Sequence, residues 1–325
     1  MFKIGIIGMG RVYDYQIEAI RDLKEIVVPA VCDIDEEKII KKPERARFYK
    51  NFHKMIKEEK LNAVVISLPN ILHYEVAKVC LDEGLNVLIE KPAVLDIQEF
   101  KNLVKISREK GAVFVVSLHY YFAKEVQWFK RKYEEEMKKE LGEITFFRSG
   151  FFDPYIENGK LKSFAKSLNG SWIDSGINAL SVIGRFIKDL KISESRLNFI
   201  KEINRDGDTQ AVVHFDFDSF GYGLIETGWV YGINCKLSRY RFENPKKEII
   251  LNHSKQQVIL KEGNENQIIA DFSKTGNRLV NHYKGVFSDF IRHLKKGSDN
   301  VDFAYYIHHL LFDAISINGK IKECS

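Results

Sequence analysis

The sequence predicts an α/β chain: a doubly wound parallel sheet first, then an α+β domain with a mostly antiparallel sheet. Three observations lead there. Short apolar, β-branched runs alternate with helical stretches up to residue 118. The first of those runs ends in a glycine pair, Gly8 and Gly10. From about residue 122 the alternation stops, and aromatic-rich runs of strand period follow one another. At 325 residues the chain is long for one core, so two domains are expected, 1–121 and 122–325.

The elements follow in order. Phe2 to Ile7 is a buried-strand run. Residues 12–24 place Val12, Ile17, Ile20 and Leu23 at helical spacing. Ile26 to Cys32 is a second strand, and Asp35 opens a charged helical stretch. Ala63 to Ser67 is the third strand, after which Asn70 is expected to cap a helix burying Ile71, Val76, Val79 and Cys80. Asn86 to Ile89 is the fourth, Asp96 and Glu99 form a capping box for a helix over 97–110, and Val113 to Leu118 is the fifth. Right-handed crossovers bring the C-terminal ends of parallel strands to one edge, where ligands bind. Gly8, Asp33, Pro69 and Lys91 each stand just past a strand and should converge there.

In the second domain a charged helix over about 123–140 precedes the strand Ile144 to Phe152. A helical stretch near 172–187 follows, then strands at 208–218, 221–231, 235–243, 247–252 and 256–260, and two closing helices at about 276–296 and 302–320. Ile144, Phe146 and Phe152 alternate with Phe147 and Phe151, and Trp229 and Tyr231 with Leu224 and Val230, so both faces of this sheet carry apolar side chains. One face can pack on the chain's own helices; the other implies a partner, and a homodimer or homotetramer is expected.

Composition narrows the function classes. With 45% hydrophobic and 29% charged residues, wholesale disorder is excluded. The net charge of +5 is dispersed, without the basic stripe that nucleic acid requires, so no nucleic-acid partner is expected. Cys32, Cys80, Cys235 and Cys324 form no Cys-x-x-Cys pair and imply neither a zinc site nor a disulfide framework. Cys32 and Cys80 fall in apolar runs and read as core residues. The remaining histidines lack metal-ligand spacing, and the adjacent His308 and His309 point to different helix faces, so no metal is expected. The apolar run at residues 1–9 is too short to span a membrane and contains Lys3. A reduced, cytoplasmic protein without a membrane partner is the expectation.

The loop Gly8-Met9-Gly10-Arg11-Val12-Tyr13 joins the first strand to the first helix, as in a dinucleotide-binding Rossmann domain. Its glycines allow a tight turn and a close approach to a pyrophosphate at the helix N-terminus. Tyr13 stands where a third small residue is usual, and a glycine turn without a ligand remains the alternative. Asp33 closes the second strand, where a carboxylate accepts from the adenine ribose hydroxyls and repels a 2′-phosphate. Ile34, Asp35, Glu36 and Glu37 offer no cation, so NAD is expected over NADP. A turn or capping aspartate is the other reading of Asp33.

Several segments together resemble the glucose-fructose oxidoreductase and inositol dehydrogenase family (Gfo/Idh/MocA) over most of the chain. Ile66-Ser67-Leu68-Pro69-Asn70-Ile71-Leu72-His73 is similar to the family's strand-Thr-Pro-Asn-x-x-His segment, which lines the cofactor. Gly84-Leu85-Asn86-Val87-Leu88-Ile89-Glu90-Lys91-Pro92 resembles its Glu-Lys-Pro signature, in which the bond before proline is often cis. Gly170-Ser171-Trp172-Ile173-Asp174-Ser175-Gly176-Ile177-Asn178 resembles its Gly-x-x-x-Asp-x-Gly-x-His stretch. The resemblance implies a cofactor role for Ser67, Pro69, Asn70, His73, Glu90 and Lys91, with a capping or surface role for His73 left open. It places the catalytic lysine at Lys91, the aspartate at Asp174, and Asn178 where inositol-dehydrogenase-like members carry a histidine acid/base. The run Asp174 to Ser181 looks most like the aldose 1-dehydrogenase branch, the L-arabinose and D-galactose enzymes, where an Asp and an Asn occupy these places.

Oxidising an alcohol requires a proton acceptor, a hydride acceptor and stabilisation of a developing alkoxide. A lysine suits this work: desolvation lowers its pKa, and its charged form stabilises an oxyanion. Asp174 would hold the substrate hydroxyl and accept its proton or tune Lys91; a helix N-terminal role is the alternative. Asn178 exchanges no proton near neutral pH but can orient a hydroxyl, leaving Lys91 or Asp174 as the base. On one helix, Asp174 and Asn178 share a face. His119, Tyr120 and Tyr121, past the fifth strand, and Trp172 are further candidate sugar contacts, or core aromatics. Arg148 and Asp153 are left without an assignment. Three functions remain: aldose oxidation to a lactone with NAD; a dehydrogenase or ketoreductase of a polyol, amino sugar or nucleotide-linked sugar; and a non-catalytic NAD-binding sensor.

Overall fold

The computed structural model describes residues 1–200, 203, 204, 207–218 and 220–323; Cys324 lies outside the described residues. Two compact units result, Met1–His119 with Leu279–Tyr305, and Tyr120–Arg278 with the chain from Tyr306 onward. The units are therefore discontinuous in sequence, whereas the expected division kept all of 122–325 together.

The first unit is a six-stranded sheet: β1 (Phe2–Ile7), β2 (Ile26–Cys32), β3 (Arg47–Tyr49), β4 (Ala63–Ile66), β5 (Asn86–Glu90) and β6 (Phe114–Ser117). Its order is β3-β2-β1-β4-β5-β6, and every pairing is parallel. This is the Rossmann order. All of β4 and β6 is buried, as helices on both faces demand. The helices are α1 (Tyr13–Ile20), α2 (Phe52–Glu58), α3 (His73–Asp82) and α4 (Ile97–Lys110). For α4 the Asp96 side chain accepts from Gln98 N and Glu99 N, and Gly111, in the left-handed region at φ 62°, ends it. Phe100, Leu103 and Ile106 form its buried face.

Three local expectations need correction. Asp35 opens a short 3-10 turn, Glu36–Lys41, and the edge strand β3 follows it; at three residues β3 is too short to show a period. Asn70 opens a 3-10 turn, Asn70–Leu72, before α3, and this leaves Ile71 exposed. The inward face of α1 is Tyr13, Gln16, Ala19 and Ile20 rather than Val12 and Ile17, because the buried Gln16 amide has polar partners at the strand ends.

The second unit holds an eight-stranded sheet. Its helical prelude is α5 (Lys124–Lys132), a π-helical turn (Tyr133–Met137) and α6 (Lys138–Leu141). Next come β7 (Ile144–Phe152), a small hairpin of β8 (Ile156–Glu157) and β9 (Lys160–Leu161), and a second π-helical turn (Trp172–Gly176) running into α7 (Ile177–Ile183). Then follow β10 (Lys191–Asn198), β11 (Gln210–Phe217), β12 (Gly221–Gly228), β13 (Cys235–Phe242), β14 (Lys247–Asn252), β15 (Gln257–Glu262) and β16 (Glu265–Asp271). The strand order is β10-β11-β12-β7-β13-β14-β15-β16, antiparallel except for β12 with β7. The sequence missed both edges, β10 and β16, whose polar and charged side chains hide the strand period, as edges that resist aggregation do. Two further helices follow, α8 (Arg278–Lys296), which from Leu279 onward belongs to the first unit, and α9 (Val301–Glu323), which belongs to the second from Tyr306. Among the described residues no helix is long and apolar enough to cross a membrane.

One face of the large sheet is a core of rings. Phe147 stacks on Phe217 at 5.8 Å, Phe129 meets Tyr240 at 5.7 Å, and α7 is buried on every side. Within this core lies a fully buried polar chain in which Glu125 Oε1 faces His253 Nδ1 at 2.8 Å and His253 Nε2 faces Ser238 Oγ at 3.0 Å. The opposite face is mixed, not continuously apolar: Phe146, Phe152, Leu224, Leu237 and Ile250 are half-buried among the ion pairs Arg148–Glu226 and Arg239–Glu248. Cys32 and Cys80 are buried free thiols, and burial pushes both up to about 12. His308 is buried while His309 pairs with Asp313 at 2.7 Å, so the two do point to different faces.

The turn before α7 is fastened at two points. At its start Asp208 accepts from Ser171 Oγ (2.5 Å) and Trp172 N (3.0 Å). Gly170 permits this at φ +104°, where a Cβ would collide with Asp208 Oδ1. Further along, Ser175 Oγ donates to Asp153 Oδ2 (3.0 Å), and Asp153 Oδ1 accepts from the buried Lys236 Nζ (2.6 Å).

Lys236→Met leaves the Asp153 carboxylate buried without its cation and should cost about 3–5 kcal/mol in urea unfolding, whereas adding Asp153→Leu should restore part of that loss. Burial also raises the Asp208 carboxyl to about 6, so the folded state holds this proton more tightly than the unfolded chain does. Its contribution is then greatest below the unfolded value and is lost as pH rises through about 6. Melting curves between roughly pH 4 and pH 7 should show that fall in wild type and a smaller one in Asp208→Asn.

Candidate active site

The first unit places the glycine loop at the carboxyl edge of its parallel sheet. Gly8 takes φ +96° and donates its N–H to Cys32 O at 2.8 Å; a Cβ there would collide with Ser67 O. A Cβ placed on Gly10 would have Ser67 O, at 4.0 Å, as its nearest neighbour, so the loop leaves room for a ligand to approach the backbone. No described side chain caps α1, and its Tyr13 N–H donates to Gly10 O at 3.3 Å within the loop. Met9 and Tyr13 are buried, while Gly10 and Arg11 are exposed and Val12 half-buried. Such a loop fits a pyrophosphate.

Asp33 is nearly buried at the end of β2. Its Oδ2 accepts from Met9 N at 2.7 Å and Lys38 Nζ at 3.0 Å, and its Oδ1 accepts from Asp35 N at 3.0 Å. Burial raises its pKa, but these two N–H groups and the ammonium outweigh that and hold the carboxyl below the ordinary value. The sequence expectation of a site without a nearby cation overlooked Lys38, which the 3-10 turn folds back onto Asp33.

At the ends of β4, β5 and β6 the polar groups form one assembly. Gln16 Nε2 donates to Ser67 Oγ and to Glu90 Oε1, each at 3.0 Å. Glu90 Oε1 also accepts from Ser117 Oγ (3.1 Å) and Oε2 from Lys91 N (3.3 Å), while Tyr283 hydrogen bonds to the same carboxylate. Burial raises the Glu90 carboxyl and, more strongly, the Tyr283 phenol. Glu90, expected to touch the cofactor, therefore spends its oxygens within the chain. Lys91 follows it, half-buried, in a cis Lys91–Pro92 peptide.

His73 is fully buried: its Nδ1 lies 2.7 Å from Pro92 O and its Nε2 2.9 Å from Leu68 O. Burial lowers its pKa, and a neutral ring donates to only one of the two carbonyls at a time. It thus ties the segment after β4 to the segment after Lys91, rather than capping a helix at the surface. Ser67 and Asn70 are buried and Pro69 is exposed on the same edge. His119 is buried too, with Nδ1 3.2 Å from His282 Nδ1 and its ring stacked on Tyr283 at 5.6 Å.

In the second unit, Asp174 lies on the π-helical turn and is nearly buried, as is Asn178 at the start of α7. Asn178 Nδ2 donates one of its two N–H groups to Asp174 O at 3.1 Å. π-helical turns of this kind recur at functional sites. Trp172 is fully buried with its indole N–H donated to Leu311 O at 2.9 Å. The Tyr121 ring lies under the Arg185 guanidinium at 4.0 Å, and its carbonyl accepts from Arg185 and Gln127. Among the described residues no group of side chains could hold a metal ion.

Sequence reasoning missed Gln16, Lys38, Ser117, Tyr283, Lys236 and Asp208, and left Asp153 without an assignment. Only Gln16 left a signal, a polar residue on what became the inward face of α1.

Comparison with known proteins agrees with this geometry. Residues 2–118 match the family GFO_IDH_MocA, described as an oxidoreductase family with an NAD-binding Rossmann fold. Myo-inositol 2-dehydrogenase of Thermotoga maritima is 21% identical over 245 residues, 72% of this chain and 71% of that protein. The scyllo-inositol 2-dehydrogenase (NADP(+)) IolU of Bacillus subtilis is 26% identical over 190 residues, 54% of this chain and 56% of that one. A solved levoglucosan dehydrogenase, in complex with NADH and L-sorbose, superposes with a TM-score of 0.83 at 17% identity, covering 98% of this chain and 97% of the other; that likeness is one of fold. The likeness to the Gfo/Idh/MocA oxidoreductase family is thus carried by residues 2–118, which match its NAD-binding Rossmann domain.

Proposed function

We propose that the protein is an NAD-dependent dehydrogenase of sugars, and that its reaction is the oxidation of an aldose to its lactone. One observation carries the reading: a glycine loop shaped for a pyrophosphate and a lysine held beside a fully engaged buried glutamate share one sheet edge. Gly8, Met9, Gly10, Arg11 and Val12 would cradle the pyrophosphate, Asp33 the adenine ribose, and Ser67, Pro69 and Asn70 the remainder of the dinucleotide. When bound, the nicotinamide ring supplies the acceptor for a hydride.

The chain's own groups do the rest. The Lys91 ammonium stabilises negative charge on the substrate oxygen, and its fixed backbone limits the cost of aiming it. Asp174 accepts a hydrogen bond from the substrate hydroxyl. With its amide oriented by the bond from Nδ2 to Asp174 O, Asn178 orients a second hydroxyl through Oδ1 or its remaining N–H. The asparagine takes no proton, so the proton goes to Lys91 or Asp174. An anomeric hydroxyl is more acidic than an ordinary alcohol and suits so limited a set of bases. This supports the aldose reading, as does the run Asp174 to Ser181.

A second reading, a dehydrogenase or ketoreductase of a polyol, amino sugar or nucleotide-linked sugar, is favoured by the inositol dehydrogenases among the relatives. We also infer a homodimer or homotetramer built on the half-buried face of the large sheet, where Phe146, Phe152, Leu224, Leu237 and Ile250 lie in one layer.

An absorbance screen at the NADH band with free sugars, polyols and nucleotide sugars should give turnover on an aldose. Turnover on polyols alone would favour the second reading, and NAD binding without turnover would favour a sensor. On the accepted substrate, Lys91→Ala should lower kcat/KM by more than about tenfold; a smaller loss removes the proposed role. Light scattering should return a multiple of the 37.7 kDa chain mass, and a monomeric mass refutes the assembly.

A further inference from the structure

We infer that Lys38 sets the cofactor preference by neutralising Asp33, so that the protein accepts NADP as well as NAD while still binding NAD more tightly. The inference rests on the reading of the first unit as the dinucleotide site.

An aspartate at the end of the second strand favours NAD for two reasons: it accepts from both ribose hydroxyls, and its charge repels a 2′-phosphate. Both are weakened here. A carboxylate has about four acceptor positions. On Asp33, Oδ2 already takes Met9 N and Lys38 Nζ, and Oδ1 takes Asp35 N, which leaves Oδ1 one position for a ribose hydroxyl. The ammonium 3.0 Å from Oδ2 offsets the negative charge that would meet a phosphate.

The placement of Lys38 allows more than neutralisation. It stands on the 3-10 turn Glu36–Lys41, and its side chain is 30% exposed, so the ammonium lies at the rim of the site. A lysine is a point charge on a flexible stem and can turn from a carboxylate to a phosphate without a backbone change. Its neighbours do not compete for the position: Lys41 pairs with Asp14 at 2.8 Å, and Lys50 pairs with Glu36 at 2.9 Å. Asp35 and Glu37 keep the loop acidic, which maintains the advantage of NAD. A basic side chain that pairs with the ribose-binding acid when no phosphate is present, and with the phosphate when it is, gives a graded preference instead of an exclusive one.

The test is direct binding, so it needs no substrate. NADH and NADPH are titrated into the purified protein and Kd is read from nicotinamide fluorescence, for wild type, Lys38→Met and Lys38→Arg. Wild type should bind NADPH within about tenfold of NADH. Lys38→Met should weaken NADPH at least fivefold or so while changing NADH less than about twofold, and Lys38→Arg should retain NADPH binding. Intact NADH binding also shows that the Met variant is folded. If Lys38→Met leaves the NADPH-to-NADH ratio unchanged, or wild type rejects NADPH by more than about a hundredfold, the role of Lys38 is overturned while the dinucleotide site stands. If wild type binds neither nucleotide, both readings are overturned together.

Discussion

A carboxylate buried at the end of β5 is the constraint around which the first unit is organised. A carboxyl group away from water costs several kcal/mol unless its oxygens are hydrogen-bonded. Glu90 meets that demand with donors from four places: Gln16 on α1, Ser117 on β6, Tyr283 on α8 and the N–H of Lys91. Two of these donors are held in turn. Gln16 also donates to Ser67 at the end of β4, and Tyr283 stacks on His119. The ends of β4, β5 and β6 and the start of α1 are thereby set relative to one another. The glycine loop and Lys91, the two groups to which a function is proposed, lie on that edge. Pro92, on the far side of Lys91, is fixed through its carbonyl by the buried His73 ring. A lysine with its backbone restrained on both sides loses little further entropy when its side chain engages a ligand.

The second unit solves a similar problem with different means. Asp174 and Asn178 sit where a π-helical turn passes into α7, and a π-helical turn is not self-supporting in the way an α-helix is. Asp208 secures its first N–H, Asp153 secures Ser175, and Lys236 balances the charge of Asp153. On the proposed role of Asp174, stability and function would be coupled at this point, because these groups anchor and neutralise the turn that carries it.

Much of the fold was legible because parallel strands buried on both faces leave unbroken apolar runs, as at Ala63 to Ile66, and because glycine or a capping residue punctuates them, as at Gly8 and Asp96. What stayed hidden had little period to read. The edge strands Arg47–Tyr49 and Glu265–Asp271 are short or polar, and the return of Leu279–Tyr305 to the first unit is a tertiary event with no local signature. The site divided along the same line. Lys91, Asp174 and the glycine loop belong to contiguous motifs. Lys38, Tyr283 and Lys236 act across gaps that only folding closes, and Trp172, inside a recognisable motif, is fully buried. Motif membership identifies a segment, whereas burial and hydrogen bonding decide which of its side chains face a ligand.

The central claim is that this strand edge holds the dinucleotide and presents Lys91 to the substrate oxygen. A crystal structure with NADH and a sugar accepted in the absorbance screen measures it directly. The account predicts the Lys91 ammonium within about 3 Å of the sugar oxygen whose carbon faces the nicotinamide ring. A sugar bound over the ring with that oxygen held by other groups, and Lys91 turned away from it, would contradict the account.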